Sequence, residues 1–600
     1  MRGLLLLIFA LLYIKGVTSK SQQCMECNFL VELLHEQWGD KTLDECMADM
    51  AIFLCDELHI EDNFVCDYIV GDYRDEVVWV LGQVLVTPNQ MCGILVDDCD
   101  SPFDPLVSNW LLPIPGNAPP FEPKKPVDSG KPTLRVLHLT DPHIDMIYTP
   151  GMEVDCDTSL CCRQQDTPVE LNSDTQTTPG VKNPAGHWGS IGKCDPPYYL
   201  FQNMLQHIVQ TNGKIDYIVM TGDLMSHDVW NYNNVSHMAF IKNISDNIKT
   251  YFPGVPAMCV IGNHEGVPIS NVAPHFTPER WHMNWLYGAM LESWADWIPS
   301  DQNATMIYRG CYMRKLYPGL RVIALNNVYG DPLNFWLLVN QTDPDGTLSW
   351  LIDQLLEAEK AGDKVQIIAH IPGGNRETLE GWNVNYYNIV NRFANTISGQ
   401  FWGHTHSDQF YMTYKDMNDH TSTPTSVIFS APSVTTYPDH QPAYRIYTID
   451  GNYPGSTYSV IDYEVWFFNL TLNNANPNNP VWQQMYPSIL KEYGMNSAIP
   501  SEWSNLIDRM IKDNTLFEKY RTFHYRRNQY DGLGHCSQTC KNNLLCTLRQ
   551  FHHSQGKLCP DLQNNSTQKE PLMYSPSRLE FRRKVYEYRM KKRDSENCPL

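Results

Sequence analysis

Basic residues are scarce in this 600-residue chain: 45 lysines and arginines stand against 67 aspartates and glutamates, a formal net charge of −22 at pH 7. A binder of nucleic-acid phosphate normally carries a basic face, so no nucleic-acid partner is expected. The shortage is sharpest between residues 24 and 99, where Lys41 and Arg74 stand alone among many carboxylates. Beyond the first twenty residues, no run of 18 consecutive apolar residues exists to span a bilayer as a helix. Internal repeats are also lacking, which sets aside solenoid architectures.

What is present begins with MRGLLLLIFALLYIKGVTSK. Arg2 supplies a positive n-region, Leu4 to Ile14 an apolar core, and Val17 and Ser19 the small residues before a cleavage site. Residues 1–19 read as a signal peptide, and the mature chain as starting near Lys20. An exported chain with 18 cysteines is expected to carry disulfides. Sequons at Asn234, Asn243, Asn303, Asn340, Asn469 and Asn565 fit a glycosylated protein, secreted and/or lysosomal.

Residues 20–103 hold a cysteine-framed block. Cys24 and Cys27 open it, Cys55 and Cys66 lie inside, and Cys92 and Cys99 close it. Phe29, Leu30, Leu33 and Leu34, and again Ile69, Val77, Val80, Leu81, Val84 and Leu85, recur at helical spacing. The block resembles the saposin family, which implies bridges Cys24–Cys99, Cys27–Cys92 and Cys55–Cys66, and peripheral engagement of membrane lipid. Cys46 falls outside that pattern. Residues 104–131 are proline-rich and aperiodic, and read as a semi-rigid linker. From 132 to 465, apolar strand-like runs alternate with helical patterns such as Leu348, Leu351, Ile352, Leu355 and Leu356, the signature of an α/β core. Residues 466–600 read mostly as helix.

The chemistry lies where the apolar runs of that core end. LRVLHLTDPHID ends on Asp141 and His143, IDYIVMTGD on Asp223, AMCVIGNHE on Asn263 and His264, and KVQIIAH on His370. FWGHTHSD ends on His404 and His406, two residues apart and so on one side of an extended segment. Carboxyl ends of strands in an α/β sheet share one edge, where ligands bind. Carboxylate, imidazole and amide oxygen suit a borderline divalent ion. Seven such groups exceed one site, and a shared carboxylate lets two ions lie about 3.5–4 Å apart and activate water. Each residue has a plainer reading as a helix cap or a satisfied core histidine; five coincident strand ends favour the metal.

The order DxH, GD, GNHE, H, GHxH resembles the calcineurin-like metallophosphoesterases. That resemblance implies a double β-sheet sandwich flanked by helices, between an all-α saposin domain and a helical C-terminal region. It implies Asp141, His143, Asp223 and His406 around one ion, and Asp223, Asn263, His370 and His404 around the other. Gly403 is expected to give the backbone room to turn. His264 and His227 stand beside ligands without being ligands, and either is a candidate proton donor to a leaving alkoxide.

Longer stretches, including GDLMSHDVWNY, NFWLLVNQTDPDGTLSWL and APSVTTYPDHQPAYRIYTIDGNY, resemble the acid sphingomyelinases through almost all of the mature chain. The resemblance implies hydrolysis of sphingomyelin, in membranes or lipoproteins, to ceramide and phosphocholine with two Zn²⁺ per chain. It also implies disulfides Cys156–Cys161, Cys162–Cys194, Cys536–Cys540 and Cys546–Cys559. Gly373, Gly374 and Asn375 stand where the family pattern has a cysteine. Cys259 and Cys311 are left to pair with each other or not, and Cys598 is left over. A monomer is expected. No short motif reads choline, and Tyr437 in TTYPD is a candidate pocket wall. Two other readings stay open: a secreted phosphodiesterase for soluble nucleotides or other diesters, which needs no lipid-extraction block, and a non-catalytic lipid carrier, which needs no complete ligand set.

Overall fold

A computed structural model describes residues 52, 63–84, 110–128, 130–156, 158–164, 181–374, 377–526, 536–553 and 557–562. The expected leader, Cys24, Cys27, Cys46, Cys55, Cys92, Cys99, Cys598 and the sequon at Asn565 lie outside these residues. Cys66 lies inside them, buried and disulfide-bonded.

The chain divides into two units. Among the described residues, the first holds helices α1 (Asn63–Asp72) and α2 (Arg74–Val84) and the short turn Phe335–Leu338. Asp75 and Glu76 favour the start of α2 by complementing its dipole. Val70, Val78 and Val80 are buried, and Trp79 meets Trp336 with ring centroids 5.8 Å apart.

The second unit is built on two six-stranded sheets. The first has the order β12-β11-β10-β1-β2-β3, from β1 (Thr133–Leu139), β2 (Tyr217–Met220), β3 (Ala257–Cys259), β10 (Ala443–Asp450), β11 (Val460–Phe468) and β12 (Trp482–Tyr486). The other has the order β4-β5-β6-β7-β9-β8, from β4 (Tyr312–Tyr317), β5 (Leu320–Ala324), β6 (Lys364–Ile368), β7 (Ile397–Trp402), β8 (Gln409–Tyr414) and β9 (Pro424–Ser430). Strands β1, β2 and β3 run parallel, as do β5, β6 and β7; the outer pairs β10–β11, β11–β12, β4–β5 and β8–β9 are antiparallel. Helices α3 (Tyr198–Thr211) and α4 (Asn234–Tyr251) make the crossovers of the first parallel set. After α5 (Asn284–Ser293) and α6 (Asn303–Arg309), α7 (Thr347–Ala361) and α8 (Glu380–Arg392) make those of the second. Buried Leu348, Leu351, Ile352 and Leu355 line one face of α7, each worth about 1.5–3 kcal/mol. Gly362, at φ +73°, ends that helix.

Between the sheets lies an aromatic core: Phe401 meets Tyr447 at 4.8 Å, and Phe429 meets Tyr463 at 5.9 Å. The Tyr217 hydroxyl on β2 donates to Gln366 Oε1 on β6 at 2.6 Å, joining one sheet to the other.

Two expectations need correction, and one question left open is answered. The core does not stop at 465: β11 runs to Phe468, and β12 pairs with it because the alternating Trp482–Tyr486 segment completes the sheet edge. Helices α9 (Leu470–Ala475), α10 (Ile489–Tyr493), α11 (Pro500–Lys512), α12 (Asn514–His524) and α13 (Gln538–Arg549) then pack in the same unit, with Trp503 of α11 against Phe410 and Phe429. Residues 110–128 are not a free spacer. The Leu112 N–H donates to Asn385 Oδ1 at 2.7 Å, the Glu122 N–H to Asn395 Oδ1 at 2.9 Å, and Lys124 Nζ to the Ile397 carbonyl at 2.8 Å, so the stretch is a strap along α8. Cys259 and Cys311 are free, buried thiols. The backbone of Cys259 is held by the Tyr312 hydroxyl, and Cys311 Sγ accepts the Asn326 N–H at 3.1 Å.

The structure contains the bonds Cys156–Cys161, Cys162–Cys194, Cys536–Cys540 and Cys546–Cys559. Asn234, Asn243, Asn303 and Asn340 are exposed. Asn469 is buried, with its Oδ1 accepting the Leu472 N–H as the cap of α9, so that sequon is a poor glycan acceptor.

Candidate metal centre

All seven candidate ligands meet at one end of the two-sheet layer. They come from two sheets rather than one edge: Asp141, His143, Asp223 and Asn263 follow β1, β2 and β3, while His370, His404 and His406 follow β6 and β7. Asp141, His143, Asp223, His404 and His406 all take left-handed backbone conformations, with φ between +40° and +69°. Non-glycine residues pay for that geometry, which persists where surrounding structure over-determines it and clusters at functional sites.

His370 Nε2 lies 3.0 Å from Asp223 Oδ2 and 2.9 Å from Asn263 Oδ1, and His404 Nδ1 lies 3.0 Å from the same Asn263 oxygen. On the other side, His143 Nε2 is 3.4 Å from Asp223 Oδ2 and 3.2 Å from His406 Nε2, which is 3.6 Å from Asp141 Oδ1. Asp223 Oδ2 is therefore shared between two groups of donors. The remaining ring nitrogens of three histidines donate to backbone carbonyls: His143 Nδ1 to Met225 at 2.7 Å, His370 Nδ1 to Thr221 at 2.5 Å, and His406 Nδ1 to Tyr437 at 2.6 Å. This fixes their tautomers and leaves Nε2 as the inward lone pair, the arrangement typical of metal-binding histidine. His404 is turned the other way and presents Nδ1.

Burial raises the Asp141 carboxyl, with the nearby Asp223 charge adding to it. Burial also opposes ionisation of Asp223, but His370, His264 and hydrogen bonds from His143 and His370 hold it well below the usual carboxylate range. For His143 and His370, burial works against the proton and is outweighed by Asp223, raising them to about 9 and about 10. The carboxylates thus draw positive charge to the Nε2 positions, where a divalent cation competes with protons for the same lone pairs. The donor set and its orientation fit divalent metal.

His227 and His264 flank the ligands. His227 stacks on His143 and on Tyr437, 4.0 Å from each ring, and its Nδ1 lies 2.9 Å from Asp195 Oδ1. The Tyr232 hydroxyl donates to the Ser226 carbonyl at 2.6 Å, so the 2.6 Å contact with His264 is donated by His264 Nδ1. In both histidines Nε2 is left for chemistry. Burial holds both well below the usual imidazole range.

Sequence reasoning missed four supporting residues. Asp195 is fully buried and accepts the His227 N–H, His227 Nδ1 and the Thr435 hydroxyl. Glu265 accepts the N–H groups of Asp223, Leu224 and Gly262; burial and the Asp223 charge raise it to about 7. Asn327 Oδ1 accepts the N–H groups of His370 and Ile371. Arg526, fully buried, donates to the His406 and Thr435 carbonyls. Glu265 lies inside GNHE and was visible there; the other three carry no local signature. Gly403 is needed for a different reason than a turn: a Cβ there would collide with Thr140 Oγ1 and approach Asp141 Oδ2 to 2.8 Å.

The calcineurin-like phosphoesterase profile matches residues 134–408. Sphingomyelin phosphodiesterase 2 of Caenorhabditis elegans is 38% identical over 91% of this chain and 89% of its own length. This chain belongs to the sphingomyelin phosphodiesterase family. Relatives named sphingomyelin phosphodiesterase from Bos taurus and Homo sapiens are 36% and 35% identical, each over 86% of this chain and 80% and 79% of their own lengths. Among the described residues, no helix is long and apolar enough to cross a membrane.

Proposed function

We propose that this chain hydrolyses sphingomyelin to ceramide and phosphocholine. The observation that carries the reading is the convergence of seven candidate ligands, set in a chain 38% identical to a sphingomyelin phosphodiesterase across nine-tenths of its length. Asp141, His143, Asp223 and His406 would hold one Zn²⁺, and Asp223, Asn263, His370 and His404 a second. Bound there, the ions would polarise the phosphoryl oxygens and lower the pKa of attacking water.

The chain's own residues supply the rest. His264 or His227, each with Nδ1 engaged by Tyr232 or Asp195, would take up a proton from solvent at Nε2 and, as the imidazolium, give it to the ceramide alkoxide as it leaves. Tyr437, stacked on His227, forms a wall of the head-group pocket. Residues 20–103 act as a saposin-type module on peripheral membrane. The chain acts as a secreted or lysosomal glycosylated monomer.

The test is release of phosphocholine from sphingomyelin vesicles by the purified chain, set beside hydrolysis of soluble nucleotide and nitrophenyl phosphodiesters. Preference for sphingomyelin, lost on chelation and restored by Zn²⁺, is expected. Hydrolysis of soluble diesters alone would overturn the reading.

A further inference from the structure

Beneath Asp141 runs a line of buried hydrogen bonds that the proposed reaction does not use. Arg445 Nη1 donates to the Tyr447 hydroxyl at 3.0 Å. Tyr447 lies 3.3 Å from His138 Nδ1, and His138 Nε2 lies 2.9 Å from Thr221 Oγ1. The Thr221 hydroxyl donates to Thr140 Oγ1 at 2.6 Å, and Thr140 donates to Asp141 Oδ2 at 2.5 Å. His138, Thr140, Asp141, Thr221, Arg445 and Tyr447 are all fully buried. At the far end, Arg445 Nη2 is paired with Asp408 at 2.5 Å, which also accepts the Tyr486 hydroxyl.

The proton inventory gives this line one direction. Guanidinium nitrogens only donate, so the Tyr447 oxygen accepts from Arg445 and has its own proton to give. The neighbour placed to take it is His138 Nδ1. His138 then carries its proton on Nε2 and donates to Thr221. Each hydroxyl passes the polarity on, and the last proton lands on Asp141 Oδ2. Burial and the neighbouring Arg445 hold the His138 ring well below the usual imidazole range, in keeping with a neutral ring carrying one proton. Phe401 packs edge-on to His138 at 6.1 Å and against Tyr447, shielding the line from water. Gly403 is the close lid over its last two hydroxyls.

We propose that His138, with Tyr447, Thr221 and Thr140, is a positioning relay that ties down Asp141 Oδ2 and leaves Oδ1 turned towards the neighbouring candidate ligands. The His404 N–H donates to both Asp141 oxygens at 3.0 Å, and Oδ1 is the one that faces His406 Nε2 at 3.6 Å and His370 Nε2 at 3.9 Å. Hydrogen bonds in series polarise one another in a dry interior, so cutting the line at any point weakens its end. The inference rests on the reading of Asp141 as a metal ligand.

The experiment titrates Co²⁺ into the metal-free full-length chain and follows its visible absorption. Thr221→Val removes one hydroxyl with little change of shape, and is expected to weaken Co²⁺ binding by about 10–100-fold, as loss of a ligand's supporting partner does. Tyr447→Phe, four hydrogen bonds from Asp141, is expected to weaken it by about threefold. The double variant should match Thr221→Val alone, because a line already cut is not cut again. His138→Gln, whose amide can accept and donate, should bind nearly as the parent chain does, whereas His138→Leu should not. Nitrogen NMR of histidine-labelled protein should show His138 protonated at Nε2; that measurement and Tyr447→Phe stand even where a bulkier change prevents folding. Parent-like binding by Thr221→Val or Tyr447→Phe, multiplying effects in the double variant, or an Nδ1 proton on His138 would overturn the relay. Asp141→Ala separates the two levels: undiminished Co²⁺ binding in that variant refutes the ligand reading itself.

Discussion

Asp195→Asn separates the cost of a buried charge from its use. The carboxylate is fully buried, and burial raises it to about 6 from an ordinary 3.8, against the opposing pull of His143 and its hydrogen bonds. At 1.36 kcal/mol per unit, that charge costs the fold about 3 kcal/mol at pH 7. Between pH 3.8 and 6 the native state binds more protons than the unfolded one, so this cost grows as pH rises through that window and is complete above it. The amide escapes the cost but places an N–H₂ among groups that all donate to the present carboxylate, losing about 1.5–3 kcal/mol for one charged hydrogen bond. Stability at pH 7 should therefore change little, and the variant should fare worse relative to the parent at pH 4.5 than at pH 7.

Activity should not be spared. With an amide as partner, the favoured His227 tautomer changes and the imidazolium loses its counter-charge; comparable replacements in hydrolytic triads cost about 10⁴-fold. Here two histidines share the neighbourhood, and a loss of about 10²–10³-fold in kcat on sphingomyelin is expected, within the range for general acid–base groups. The assays are urea denaturation at the two pH values, metal content, and turnover of sphingomyelin beside a nitrophenyl phosphodiester, whose leaving group needs less protonation. Unchanged turnover, or equal loss on both substrates with metal intact, would refute the orienting role of Asp195.

Asp223→Ala should lose bound metal and turnover together, since its Oδ2 lies between both donor groups; two tightly held ions by elemental analysis would defeat the bridging assignment. His264→Ala should slow sphingomyelin turnover by about 10²–10⁴-fold with metal content unchanged, and should hurt a nitrophenolate ester less. His207, beside Trp466 and Trp482, is lowered to about 4 by burial, so the fold binds fewer protons there than the unfolded chain between pH 6.5 and 4. Its contribution to stability is present above pH 6.5 and lost as pH falls through that window; His207→Gln should flatten this part of a pH–stability curve. The acidic block between Cys24 and Cys99 should adhere better to anionic vesicles at pH 5 than at pH 7.5 as its carboxylates begin to protonate, and flat flotation of the full-length chain across that range would exclude it.

The site was legible because its residues sit at strand ends, where an apolar run breaks into Asp, Asn or His within three residues. The i, i+2 pair His404 and His406 converges on the site from left-handed backbone beyond the end of β7 rather than from an extended segment, so strand periodicity does not explain its convergence. The supporting residues were hidden for a physical reason. Asp195, Asn327 and Arg526 act through contacts with backbone or side chains far away in sequence, and their local surroundings look like ordinary loop or helix end. The helical tail was misread at β12, because a short alternating segment pairs only once β11 is in place to receive it. The strap at 110–128 was misread for a similar reason: its partners, Asn385 and Asn395, lie more than 270 residues downstream.

The split of the ligands between two sheets turns the core into a measuring instrument. Three strands of one sheet and two of the other each carry part of the centre, so the separation of donors across it equals the registration of one sheet over the other. Productive metal geometry tolerates only about 0.5 Å of error. Slippage too small to unfold anything would therefore pull His370 and His404 away from Asp223 and Asn263. The bond between Tyr217 and Gln366, far from the centre but spanning the same gap, acts as a caliper screw, and turnover on warming should fade before the global melt, in step with loosening between the layers.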